Sequence, residues 1–195
     1  MKIEDVATIR TGVVTTRKRA NNENLVIYTY NLINLKCASL DGQLDLRYVE
    51  KLSTSEPLKQ EFFTHIDDII VRLSAPYTAI MITKEQWIGY LVPSHFAIIR
   101  VDKSVASPEY IFWLLKQEST KQKILQNISG SGAFGTINSK FFNSLTIRDI
   151  PLPQQRIIGQ MHMLSEREQE LLRKLASQKA IYSKLLVNKI YNSAK

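Results

Sequence analysis

The chain has 195 residues, 44% of them hydrophobic, and its 26 Lys and Arg against 18 Asp and Glu leave a formal charge of +8. The single cysteine, Cys37, excludes an intramolecular disulfide and a cysteine-based zinc cluster. No apolar run approaches the roughly 18 residues of a membrane span, and the opening MKIEDVATIRTG lacks a secretory core, so a cytoplasmic protein is expected. The positive surplus favours a polyanionic partner, nucleic acid ahead of an anionic membrane surface.

Residues 1–14 read as a turn followed by a strand, and 15–22 as a basic loop around Arg17, Lys18 and Arg19. Residues 25–35, rich in β-branched and aromatic side chains, predict a strand. Asp41-Gly42 marks a turn, and 44–49 alternates apolar and polar at period two, as a half-buried strand does. After an irregular stretch over 57–65, further strands are predicted at 69–73, 78–83, 87–91 and 95–101. Ser107-Pro108-Glu109 is a helix start with an N-cap, a proline at the first helical position and an acid in the first turn. One helix is expected from there to Ile128, then a glycine loop (Gly130, Gly132, Gly135), a helical turn at 139–142 and a last strand at 145–147. Ile150-Pro151-Leu152-Pro153 should be extended, because each proline disfavours the helical region for its predecessor.

Beyond Gln154 the pattern changes. Met161, Leu164, Leu171, Leu175, Tyr182 and Leu185 recur at 3-4 spacing, with Glu168, Gln178 and Lys189 completing the seam over about four heptads. An isolated helix of this length is marginal in water. The seam is expected to bury itself against a partner helix, the alternative being a helix folded back along its own domain. The fold class is therefore α+β, a mixed-sheet domain with flanking helices over 1–152 followed by one long coiled-coil-type helix over 153–195.

The search for catalytic chemistry returns decoys. His65, His95 and His162 have no companions at ligand spacing, so no metal site is expected. There is no phosphate-cradling GxxxxGK[ST] motif, and the 130–135 glycines follow a helix at the wrong spacing for a dinucleotide site. Ser74-Ala75-Pro76-Tyr77 superficially matches the Pro-Pro-aromatic loop of amino-methyltransferases, yet Ala75 occupies the second position and no cofactor unit precedes it. No cofactor is expected. Basic side chains on loops could instead supply phosphate attraction, with hydroxyl, amide and guanidinium groups on base edges.

Taken in order, HIDDIIVRLSAPYTAIMI, HFAIIRV, SPEYIFWLLKQESTKQKIL, the GSG loop and SLTIRDIPLPQQRIIGQM leading into a long helix resemble the DNA-specificity (S) subunit of type I restriction–modification systems. The resemblance covers essentially the whole chain and is strongest over 95–165. Asp67-Asp68 stands where that family usually has Gly-Asp. The resemblance implies a target-recognition domain that reads one half of a bipartite double-stranded DNA target. It also implies a spacer helix after Ile150-Pro151-Leu152-Pro153, no catalytic activity in this chain, and separate methylation and restriction subunits as partners.

A full-length S subunit carries two such domains and two helices. This sequence holds one of each without internal repeat, which leaves a natural half-subunit, a truncation product or a fragment of a longer gene open. Two copies are expected to pair through Met161, Leu164, Leu171, Leu175, Tyr182 and Leu185, antiparallel as the resemblance implies. The DNA contacts are expected from Arg17, Lys18 and Arg19; from Arg72, Ser74 and Tyr77; and from Ser131, Phe134 and Lys140 in the glycine loop. The second reading is an interaction or decoy subunit that docks on methylation subunits through its helix without reading DNA.

Overall fold

The computed structural model describes residues 1–20, 22, 25–39, 42–130 and 135–193. They form two compact units, Met1–Gly159 and Gln160–Lys195. The class is α+β. In chain order the elements are β1 (Ala7–Thr11), β2 (Tyr28–Leu32), β3 (Glu50–Thr54), β4 (Ile69–Arg72), β5 (Ala79–Met81), β6 (Phe96–Val101), α1 (Pro108–Lys116), α2 (Glu118–Gln126), α3 (Lys140–Ser144) and α4 (Leu152–Ser193).

In the first unit a four-stranded antiparallel sheet has the order β1-β6-β4-β5, and β2 pairs with β3 in a separate two-stranded sheet. The inner strands are apolar without interruption, the mark of a strand covered on both faces: Ile69, Ile70 and Val71 in β4 and Phe96 to Ile99 in β6 are all at most 1% exposed. One core cluster joins Ile70, Ile80, Phe96 and Ile98 to Ile33, Cys37 and Trp87. A second, built on Leu32, Leu52, Phe63 and Leu91, lies against the small sheet. Leu91 ties the second cluster together, bridging both Leu32 and Phe63.

One buried charge holds the approach to β4. Asp68 is 1% exposed and accepts from Arg100 Nε and Nη2, both at 2.7 Å, and from the His65 backbone N–H at 2.8 Å. The residue before it, Asp67, has φ 66°, a left-handed conformation that glycine adopts freely and aspartate tolerates better than most side chains. That is the physical content of the Gly-Asp pair the sequence approximates.

Several expectations are corrected. Residues 44–49 do not form a strand: the Asp45 side chain accepts from the Arg47 N–H and winds Leu46–Tyr48 into a helical turn, and the strand comes later, as β3. The strand expected at 87–91 is a helical turn, Glu85–Trp87, followed by Gly89 at φ 81°. The strand expected over 25–35 is confined to β2. The single helix after Ser107 is two, because Gln117 adopts ψ 142° between α1 and α2. Thr146 makes only an isolated bridge to Lys2, so 145–147 is not a strand. Leu152, expected to be extended before Pro153, is the first residue of α4. A proline in the first turn forfeits no helical hydrogen bond, and this outweighs the pre-proline bias. Asp41, from the expected turn, lies outside the described residues.

The first turns of α4 are fixed to the start of α1. Gln155, 2% exposed, accepts from the Ser107 N–H at 3.1 Å and donates to the Ile150 carbonyl at 3.0 Å. Ser107 caps α1 with a side chain that accepts from the Tyr110 N–H. Gly159 lies so close that a Cβ there would sit 2.5 Å from Glu109 Cβ and 2.7 Å from the Tyr110 backbone nitrogen.

Two stability measurements check these anchors. Asp68→Ala leaves Arg100 without its buried partner and should cost about 3 kcal/mol in chemical denaturation. Gly159→Ala gains helix propensity of about 1 kcal/mol but forces backbone apart, so the melting temperature should fall.

Candidate nucleic-acid interface

The antiparallel register decides which loops meet. β1 ends, β4 ends and β6 begins at the same end of the sheet, because Thr11 and Val71 both pair with Ala97. Backbone hydrogen bonds extend that rung outward. The Gly12 N–H donates to the Phe96 carbonyl at 3.0 Å, the Leu73 N–H to His95 at 2.9 Å, and the Ile137 N–H to Leu73 at 2.8 Å. Ser139 Oγ lies 2.7 Å from Thr11 Oγ1, which brings the start of α3 and Lys140 to the same place. Three stretches distant in sequence, around Arg17, Arg72 and Lys140, thus converge on one sheet end.

Arg17, Arg19 and Lys140 are exposed there. None of the three has an acidic partner among the described residues, whereas Arg10, Arg47, Arg100 and Lys103 are matched to Glu61, Asp45, Asp68 and Asp67. Lys18 lies 3.9 Å from Glu56, an exposed pair worth little. The loop carrying these cations is tied to β3 where the Ala20 N–H donates to the Ser53 carbonyl at 2.9 Å. Arg72 is half-buried and its Nε donates to Ser74 Oγ at 3.3 Å, leaving the outer guanidinium nitrogens available.

Tyr77 serves the scaffold. Its hydroxyl donates to the Gly135 carbonyl at 3.0 Å, and its φ of 55° places the ring for that contact. Ser74 and Ser129 each bridge Thr136, so the two ends of the glycine loop are held. Ser131 and Phe134 lie outside the described residues.

Two residues that the sequence reading did not select as DNA contacts, Lys36 and His95, join this end. Arg19 and Thr15 share a cavity of about 310 Å³ with Lys36, Glu50, Pro93 and His95. Asn34 shapes its wall: Nδ2 donates to the Tyr48 carbonyl and to Glu50 Oε1, both at 2.7 Å, and Oδ1 accepts from the Lys36 N–H at 2.8 Å. Glu50 is therefore engaged, while the exposed Lys36 and His95 have no acidic partner among the described residues. His95 was weighed in sequence only as a metal ligand; its place at the start of β6, beside the ends of β1 and β4, emerges once the strand order is known.

Among the described residues, no three His, Cys, Asp or Glu side chains gather as a metal site. Cys37 is fully buried, and desolvation pushes its thiol above the ordinary value, so it stays neutral and unreactive. A second surface lies on α4 in the other unit. Met161, Leu164, Leu171, Leu175, Tyr182 and Leu185 are between 49% and 69% exposed, an apolar stripe of the kind that marks an interaction face. No helix among the described residues is long and apolar enough to cross a membrane.

A family model described as the type I restriction modification DNA specificity domain matches residues 1–178. Among solved structures, the chain is similar to the HsdS subunit from Thermoanaerobacter tengcongensis, with TM-score 0.62 and 15% identity, over 89% of this chain and 43% of that one. A structure described as the basis of complex assembly and conformational transition of the type I R-M system gives the same values. The type I restriction–modification S subunit from M. genitalium matches with TM-score 0.56 and 13% identity, over 90% of this chain and 40% of that one. At these identities the likeness is one of fold, and the chain spans about two fifths of the length of those structures. No curated protein matches.

The Tyr77 contact is testable by itself. Tyr77→Phe should lower the unfolding free energy by about 1 kcal/mol, the worth of one hydrogen bond, and a thermal melt would detect the change.

Proposed function

The chain belongs to the family of type I restriction–modification DNA specificity domains, and from that premise we propose that it reads one half of a bipartite double-stranded DNA target and directs methylation and restriction carried out by separate subunits. The chain performs no catalysis of its own and works in the cytoplasm. Residues 1–152 are the recognition domain and 153–195 the spacer helix. A second copy, docked through Met161, Leu164, Leu171, Leu175, Tyr182 and Leu185, supplies the second recognition surface, and a two-fold pair prefers an interrupted palindrome.

The observation that carries the reading is the convergence of sequence-distant loops on one sheet end, where Arg17, Arg19 and Lys140 have no acidic partner among the described residues and Lys18 has only an exposed contact with Glu56 at 3.9 Å. Arg17, Lys18, Arg19 and Lys140 approach phosphates, while Arg72 and Ser74 offer donors at the end of β4, where they can meet base edges. Ser131 and Phe134 are proposed as further contacts from sequence, and Tyr77 ties its own turn to Gly135. The helix supports pairing independently: its apolar stripe is exposed over four heptads, and residues at that spacing are buried by packing against a partner helix.

The test is the salt dependence of binding to duplex DNA, measured on the chain alone and with its methylation subunit. Replacing Arg17, Lys18 and Arg19 together by alanine should weaken binding and reduce the slope of log affinity against log salt by about two to three. An unchanged slope would remove that loop from the interface. A native chain that binds the methylation subunit but adds no DNA affinity to it would establish the decoy reading instead.

A further inference from the structure

The cavity beside the converging loops mixes signs. Arg19, Lys36 and His95 line it, and so does the carboxylate of Glu50. An acid on a surface that approaches phosphates weakens the attraction its basic neighbours supply. Its presence there points to a partner other than phosphate.

Glu50 is the first residue of β3 and pairs across the strands with Leu32. Cross-strand partners share a face, and both line the cavity of about 310 Å³. The Glu50 side chain is exposed, but it is aimed: Oε1 accepts from Asn34 Nδ2 at 2.7 Å. The Asn34 amide is itself fully committed. Nδ2 also donates to the Tyr48 carbonyl at 2.7 Å, and Oδ1 accepts from the Lys36 N–H at 2.8 Å and the Cys37 N–H at 3.2 Å. Because Oδ1 faces two backbone donors, the amino side of Asn34 faces Glu50. Among the described residues Oε2 of Glu50 has no hydrogen-bond partner, and none of Arg19, Lys36 and His95 forms an ion pair with the carboxylate.

Resting on the reading of DNA proposed above, we propose that Glu50 is a specificity-determining residue, whose second carboxylate oxygen accepts a hydrogen bond from the exocyclic amino group of a cytosine in the major groove of the half-site. A carboxylate accepts and does not donate. Guanine shows it two acceptors, thymine one acceptor and a methyl group, and adenine an acceptor beside its amino group. Cytosine N4 shows a donor alone. Arg19, Lys36 and His95 meet the phosphates on either side and offset the repulsion of bringing an acid to the duplex. A purely structural role at the start of β3 would be served equally by glutamine, whose carbonyl can accept the same bond from Asn34. The charge has no use in that role.

Selection from a random duplex library tests the assignment, using the full chain with its methylation subunit and the variants Glu50→Gln and Glu50→Ala. The native chain should fix cytosine at one position of the half-site. Glu50→Gln keeps the Asn34 bond, yet selectivity for cytosine at that position should fall about tenfold or more. The same variant should admit adenine there, which an amide binds through N6 and N7. Preferences at the other positions should persist. Glu50→Ala should leave no base preferred at that position and bind random duplex several-fold tighter at low salt, because a negative charge has left the surface. An unchanged motif in both variants would overturn the proposal. So would a weakening spread evenly over all positions, the mark of a scaffold residue, or a change confined to a position where the native chain does not select cytosine. A native complex that selects no motif at all would instead refute the reading of DNA itself, a different result from a native motif that is insensitive to Glu50.

Discussion

The position of β6 between β1 and β4 is the constraint from which the surface of converging basic loops follows. Because both pairings are antiparallel and in step at Ala97, two strands must end where the third begins. The loops that leave them have no freedom to point elsewhere. Backbone hydrogen bonds from Gly12, Leu73 and Ile137 continue the ladder beyond the strands, so the loop bases are nearly as well defined as the sheet. Cationic side chains on such loops combine a fixed origin with flexible tips. That suits a surface that must find phosphates at set spacing and still accommodate a duplex.

The same economy appears at the other end of β4. Asp68 is buried with Arg100 and the His65 N–H, and Asp67 before it takes a left-handed turn. The turn delivers the chain into the central strand, and the ion pair locks β4 to β6. The bond to Asp68 holds the Arg100 guanidinium in its charged form and commits that charge to the interior of the fold. The basic surplus of the chain is thus divided: several cations are used internally, while Arg17, Arg19 and Lys140 near the converging loops have no acidic partner among the described residues.

Much of this was legible in sequence. The buried run Ile69-Ile70-Val71, the strand ending in Val101, and the cap at Ser107-Pro108-Glu109 were each readable because period and capping act locally. The 3-4 spacing of the last helix was readable for the same reason. What was not legible depended on competition between local options. Asp45 could cap a turn or sit in a strand, and its bond to Arg47 decided for the turn; Gln117 could continue a helix or break it. Lys36 and His95 were missed because their proximity to Arg19 is a property of strand order, which no window of sequence contains. Tyr77 was named among the expected DNA contacts, and the bond from its hydroxyl to the Gly135 carbonyl is a tertiary contact that no local pattern announces.

The account rests on one domain acting twice. In the function proposed for the chain, the stripe exposed along α4 draws in a second copy and the pair presents two identical surfaces to DNA. The most direct measurement is selection from a random duplex library by the purified protein with its methylation subunit. Recovery of one short motif in two inverted copies, separated by a constant gap, is the result this account predicts. Recovery of a single motif, or of two unrelated motifs at a fixed separation, would contradict it.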